Sequence, residues 1–267
     1  MDLERAKIVL NPSKSGAPAA ARRLLAAFQD NGFSAIADPA EGEIYDFIAV
    51  LGGDGTILGI LDEALDAGVP ILSVNLGRVG FLSEIEPDEI EADIKKLKRK
   101  EYFLEKRMLL EAKVPGQAPV RALNDIVFSR APHSARTITM EIRCGGAIID
   151  RFSGDGVIVS SPTGSTAYSF SAGGPVVEPS MDLIIVTPIC AHTLHSRPFV
   201  LPPDSVISIR ALNGAPAQIV ADGRKKIDIE GDCPAEVIKS DRFAQFIRVN
   251  RRNFFERFRG KLAEWND

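Results

Sequence analysis

No apolar run in this 267-residue chain approaches the roughly 20 residues that a membrane helix needs. The opening Met-Asp-Leu-Glu-Arg also lacks the basic-then-apolar layout of a secretory leader, so a cytoplasmic protein is expected. Cysteine is scarce. Cys144, Cys190 and Cys233 are odd in number and far apart, which argues against a disulfide framework or a zinc site, and they read as small buried hydrophobes. An excess of one charge is missing too: 32 Lys and Arg against 36 Asp and Glu leave a formal charge of −4, so no positive field draws the chain to nucleic acid or to an anionic membrane. Two familiar phosphate-binding signatures are absent. There is no Gly-x-x-x-x-Gly-Lys-Ser/Thr, and no Gly-x-Gly-x-x-Gly follows a strand.

What is present is a chain with 45% hydrophobic and 25% charged residues, long enough to build two modest domains with real cores. Ile8 to Leu10 reads as a buried strand, and Ala21, Leu24, Leu25 and Phe28 repeat at helical spacing until Asn31-Gly32 stops them. Phe47 to Leu51 is a second strand, Ile57 to Leu65 a second helical face ended by Gly68, and Val69 to Val74 a third strand. Strands alternating with helices predict a parallel sheet. After a helix marked by Ile90, Ile94 and Leu97 the texture changes to short β-like runs: 109–114, 122–128, 137–144, 157–160, 183–187, 206–210 and 218–221. The reading is therefore a three-layer α/β domain over 1–100 and a β-rich domain over 101–245. A 246–267 tail, with Phe254, Phe255 and Phe258 at helical spacing, folds back on the first domain. An active site in the cleft between the domains is expected.

Gly52-Gly53-Asp54-Gly55-Thr56 sits where a buried strand gives way to a helix. Glycines there let backbone amides approach a phosphate, and the helix N-terminus adds a favourable dipole. Asp54 is out of place in a loop built only for anions. It fits a metal ligand, a proton acceptor for an attacking hydroxyl, or a helix cap. A second cluster runs from Ser153-Gly154-Asp155-Gly156 through a strand into Ser161-Pro162-Thr163-Gly164-Ser165-Thr166-Ala167-Tyr168-Ser169-Phe170-Ser171. That density of hydroxyls and glycines suits hydrogen bonding to a sugar or a phosphate.

Taken together, Gly52 to Thr56, the Pro162 to Ser169 run and Ser171-Ala172-Gly173-Gly174-Pro175 resemble the NAD kinase family. So do Asn75-Leu76-Gly77-Arg78-Val79-Gly80-Phe81-Leu82, the pair Asn124-Asp125, and Thr187 to Pro198. Gly-Gly-Asp-Gly-Thr alone is shared with lipid kinases; the long hydroxyl-rich run is far more specific. The resemblance implies transfer of a phosphoryl group from ATP, with Mg²⁺ or another divalent metal, to the 2′-hydroxyl on the adenosine ribose of NAD. It matches Asp54 to the catalytic base and Asp54, Gly55, Asn124, Asp125, Asp155, Thr166, Ala167, Tyr168 and Ser171 to the NAD site. Gly52, Gly53, Gly55 and Thr56 would hold the ATP phosphates, and Arg136 is a weaker candidate for a phosphate contact at the NAD site. A homodimer or homotetramer is implied by the resemblance alone. The chain departs from the family pattern at Asp125, commonly Glu, at Ala191, usually Pro, and at Arg224, where Gln is frequent. His192 reads as structural and His133 as an exposed loop residue. The rival readings are a lipid kinase and a non-catalytic NAD-binding sensor.

Overall fold

In the computed structural model the chain separates into two compact units, residues 1–106 with 244–267 and residues 107–243. The structure describes residues 3–14, 16–37, 43–77, 80–134, 136–193, 195–212, 214–230, 232–251 and 253–265. Arg78, Val79 and Leu194, which belong to the stretches singled out above, lie outside them.

The first unit begins with β1 (Arg5–Leu10), α1 (Ala17–Asp30) and β2 (Ser34–Ile36). It continues through β3 (Phe47–Gly52), α2 (Asp54–Gly59), α3 (Leu61–Ala67), β4 (Ile71–Asn75) and α4 (Ile90–Lys98). Its strands lie in the order β2-β1-β3-β4, and all of these pairings are parallel. Every residue of β3 and β4 is buried, as strands covered on both faces must be. Phe47, Ala49 and Leu51 share one core with Leu24 and Phe28 of α1 and with Ile90, Ile94 and Leu97 of α4. Leu25, expected on that inward face, points outward instead, and Ala20 and Ala27 take the inward positions.

The helix expected over 57–65 is two helices. The chain leaves helical geometry at Ile60, whose φ is −106° and ψ is 4°. The short α2 so produced has the Gly-Gly-Asp-Gly turn at its start, at the carboxyl end of β3. In open α/β sheets ligands bind outside the carboxyl ends of the strands.

β5 (Phe103–Lys113) carries the chain into the second unit. There follow β6 (Val120–Ala122), β7 (Asp125–Arg130), β8 (Ile138–Cys144), β9 (Ala147–Gly154), β10 (Gly156–Ser160) and α5 (Tyr168–Ser171). Next come β11 (Ile184–Ile189), β12 (Phe199–Leu201), β13 (Ile207–Ala211), β14 (Ala217–Ala221) and β15 (Lys225–Ile229). β16 (Ala235–Arg248) returns the chain to the first unit, where Phe246 pairs with Ile71 of β4, and α6 (Phe254–Trp265) ends it. One sheet of the second unit has the order β12-β11-β10-β7-β14-β15, with antiparallel pairings. Its inner face, including Phe128, Val157, Val159 and Ile219, shares a core with Met140 and Ile142 of β8 and Ile207 and Ile209 of β13. Among the described residues no helix is long and apolar enough to cross a membrane.

The cysteines differ from expectation. Cys144 and Cys233 are half-buried and Cys190 is exposed, because each lies at or beyond the end of a strand rather than inside one.

Candidate active site

Period-two alternation decides what the second unit presents on the outer face of its six-stranded sheet. Along β7, Ile126 and Phe128 enter the core, so Asp125, Val127 and Ser129 face outward. Along β14, Ala217, Ile219 and Ala221 enter it, so Gln218 and Val220 face outward beside them, with Val127 opposite Val220 and Ser129 opposite Gln218. These five side chains form much of the floor of a cavity of about 690 Å³, which Asn124, Asp155, Tyr168, Asp222 and Arg130 help to wall.

The wall is fixed by hydrogen bonds to backbone. Asp222, held at a left-handed φ of 48°, accepts the amides of Leu123 and Asn124 at 2.8 Å and of Asp125 at 3.2 Å. Its own amide donates to the Asp125 carbonyl at 3.0 Å. Asn124 and Asp125 are thus clamped from behind. From the other side the hydroxyl-rich run packs on them: the Ser161 amide and the Ser160 hydroxyl donate to the Asn124 carbonyl at 2.9 and 3.2 Å. Gly164 comes so close that an added Cβ would sit 2.0 Å from that carbonyl oxygen, so only glycine fits.

The hydroxyls of the run mostly turn inward, because a buried hydroxyl needs a partner. Ser165 is bonded to both backbone groups of Val177, Thr166 donates to the Thr163 carbonyl at 3.4 Å, and Ser169 pairs with Thr187 at 3.0 Å. Ala167 and Tyr168 line the cavity; Thr166 and Ser171 do not. Arg136 does not line it either, and its carbonyl accepts the Ser134 hydroxyl at 3.2 Å. The backbone amide of His192 donates to the Ser153 carbonyl at 2.8 Å.

Charge in the cavity is dominated by carboxyls. Asp155 is paired with Arg130 at 3.0 Å. Burial first, and then the charge of Asp222, pushes Asp125 up to about 7. Burial raises Asp222 as well, although its three amide donors pull the other way. Those donors favour its charged form, so the proton of the pair falls to Asp125. Tyr168 is raised by partial burial and then by the nearby Cys190, Asp155 and Asp125. Reading the sequence did not find Asp222, Arg130, Gln218 or Cys190 as lining residues. Arg130 ends an ordinary apolar strand, but the Gln218-Ile219-Val220-Ala221 alternation does carry the signal for Gln218.

In the first unit, Gly52 packs so tightly that an added Cβ would lie 2.3 Å from Thr56 Oγ1. That hydroxyl accepts a hydrogen bond from Asn11 Nδ2 at 3.2 Å. Gly53 and Gly55 differ, since a Cβ on either would meet nothing within 4 Å, and neither has a positive φ. Among the described residues nothing requires glycine there, whereas a ligand approaching the bare backbone would. Asp54 is the first residue of its helix rather than the N-cap, which is Gly53. The Asp54 carboxylate accepts the amides of Phe81 at 3.0 Å and Leu82 at 3.2 Å. A Cβ on Gly80 would lie 2.2 Å from Asp54 Oδ1, so Gly80, Phe81 and Leu82 together seat this carboxylate.

Residues 33–102 match the ATP-NAD kinase N-terminal domain and residues 123–249 the ATP-NAD kinase C-terminal domain. An NAD kinase of Caldanaerobacter subterraneus subsp. tengcongensis is 44% identical over 230 residues, which cover 83% of this chain and 81% of that protein. One from Wolinella succinogenes is 34% identical over 99% of this chain and 97% of its own length. Among solved structures, an Archaeoglobus fulgidus NAD kinase in complex with ATP is 34% identical with a TM-score of 0.81, covering 96% of this chain and 99% of that one. A yeast NADH kinase complexed with NADH gives a TM-score of 0.82 at 25% identity, covering 97% and 86%.

Proposed function

The chain belongs to the NAD kinase family, and on that premise we propose that it transfers the terminal phosphoryl group of ATP to the 2′-hydroxyl of the adenosine ribose of NAD, with Asp54 as general base. The observation that carries the role of Asp54 is its seating. Two backbone amides hold the carboxylate beside a turn whose Gly53 and Gly55 face open space. In the reaction the ribose oxygen bonds to the γ-phosphorus, the bond from that phosphorus to the leaving ADP oxygen breaks, and the hydroxyl proton passes to Asp54. The bare backbone of the Gly53 to Gly55 turn would lie against the phosphates and offset their charge.

The cavity of the second unit is assigned to NAD. Asn124 and Asp125 suit ribose hydroxyls or the adenine edge, Asp155 suits the nicotinamide side, and Ala167 and Tyr168 offer a flat wall. Thr166 and Ser171 enter the proposal through the run that carries those two residues. Three carboxyls against Arg130 favour hydroxyl donors and a cationic ring over bare phosphate. We assign the basic contact to Arg130 in preference to Arg136.

Among the described residues no three carboxylate, imidazole or thiol side chains converge as a metal cage. A divalent ion would be held mainly by the triphosphate, with the Asp54 carboxylate of the turn available to it, and would neutralise phosphate charge when bound. A cytoplasmic homodimer or homotetramer supplying NADP is the accompanying proposal, resting on family resemblance and an unremarkable charge balance.

The test is incubation of the purified protein with ATP, Mg²⁺ and NAD. NADP should form. Phosphorylation of a lipid with NAD left untouched would make it a lipid kinase, and NAD binding without turnover would make it a sensor.

A further inference from the structure

Enzymes that hold a triphosphate on a backbone turn commonly set a cation beside it. The turn after β3 has none among its own five residues, Gly-Gly-Asp-Gly-Thr. The fold brings one from the far end of the chain. Lys261 of α6 lies with Nζ 4.0 Å from Asp54 Oδ2 and 4.3 Å from the centre of the Phe81 ring. Phe81 therefore seats both partners: its amide holds the carboxylate and its ring holds the ammonium.

The helix is fixed to that segment at several points. Phe81 packs against Phe254 and Phe258 with ring centres 6.2 and 6.3 Å apart, and Arg257 donates to the Ser83 carbonyl at 2.9 Å. Phe254, Phe258 and Lys261 recur at i, i+4 and i+7, one face of a helix. At 4.0 Å the contact with Asp54 is electrostatic rather than a hydrogen bond. The Lys261 side chain keeps 20% exposure, so a ligand at the turn has access to it.

We propose that Lys261 is a catalytic residue of the phosphoryl transfer, its ammonium donating to oxygens of the group in flight. This rests on the phosphotransfer reading given above. Lys261 gives up no proton: bonds form and break as already described, Asp54 takes the hydroxyl proton, and the ammonium offsets charge that grows in the transition state. The cation that a Walker-type loop carries within its motif is here delivered by a C-terminal helix.

The test is steady-state kinetics of full-length Lys261→Met beside wild type, with ATP, Mg²⁺ and NAD. kcat should fall by ~100-fold or more, the lower end for one donor aimed at developing charge. The KM for NAD should stay within about twofold, and Lys261→Arg should recover about tenfold over Met. Lys261→Gln, which keeps the stem on Phe81, is the second variant if Met does not fold by circular dichroism. A folded variant with kcat within about threefold of wild type overturns the role. So does equal loss in Met and Arg accompanied by a lowered melting temperature, which marks a purely structural tie. A wild type that forms no NADP removes the phosphotransfer reading as well, whereas an active wild type with an equally active Lys261→Met removes this assignment alone.

Discussion

The two units of the chain build the surfaces proposed to meet ligands by opposite means. The first uses backbone: a glycine turn with two open positions, and one carboxylate seated by the amides of Phe81 and Leu82. The second uses side chains on the outer face of a sheet, where alternation along β7 and β14 sets Asp125, Val127, Ser129, Gln218 and Val220 on one surface. Backbone amides suit phosphate, whose oxygens look alike from every side; side chains of differing polarity suit a ligand with distinct ends. The contrast teaches that chemistry and recognition are separable here, and it can be broken by substitution.

The largest effect should come from Asp54→Asn, which keeps size and removes basicity. Turnover should drop at least ~100-fold while NAD affinity, measured by titration calorimetry, stays within about twofold. A large loss of affinity would dissolve the division. Next is Gly80→Ala, whose methyl would lie 2.2 Å from Asp54 Oδ1. If Asp54 is the base, displacing it by a fraction of an ångström should cost roughly 10- to 100-fold in kcat, again with NAD affinity intact.

Asp222→Asn strikes the other unit. One amide oxygen cannot serve the three N–H donors that Asp222 now accepts, and leaving one unpaired costs about 1–3 kcal/mol. The KM for NAD should rise about tenfold with kcat nearly constant, since 1.4 kcal/mol is a factor of 10. A kcat effect without a KM effect would show that the clamp does not serve binding.

The smallest effect is one of pH. Asp125 titrates at about 7 in the folded protein, and an unfolded carboxyl titrates near 4. The folded state holds this proton more tightly, so its contribution to stability is complete below about pH 4 and is lost as pH rises through about 7. Relative to Asp125→Asn, wild type should therefore lose stability between pH 5 and 7.5 in denaturant titrations, on the order of 1.4 kcal/mol per pH unit at most. A flat difference would mean that Asp125 is not buried beside a charged Asp222.

Much of this was legible in the sequence for a physical reason. The parallel strands of the first unit are buried on both faces and read as unbroken apolar runs, and the glycine turn announces itself where one of them ends. β16 was not legible: it runs for 14 residues through Ser240, Asp241 and Arg242, with no clean alternation. β9 and β15, equally polar, were missed likewise. Asn124, Asp125, Asp155, Ala167 and Tyr168, which line the cavity, were named from motif. Asp222 was noticed only as a neighbour of Arg224, because its work is done through backbone amides about a hundred residues earlier. Lys261 was invisible for the same reason, since its partner Asp54 is distant in sequence.

The central claim is that Asp54 takes a proton rather than chiefly holding a metal. The direct measurement is kcat of Asp54→Asn across a magnesium titration at saturating ATP and NAD. The account predicts a defect of ~100-fold or more that persists at every magnesium concentration. Recovery of near wild-type turnover at high magnesium would contradict it and make Asp54 a metal ligand.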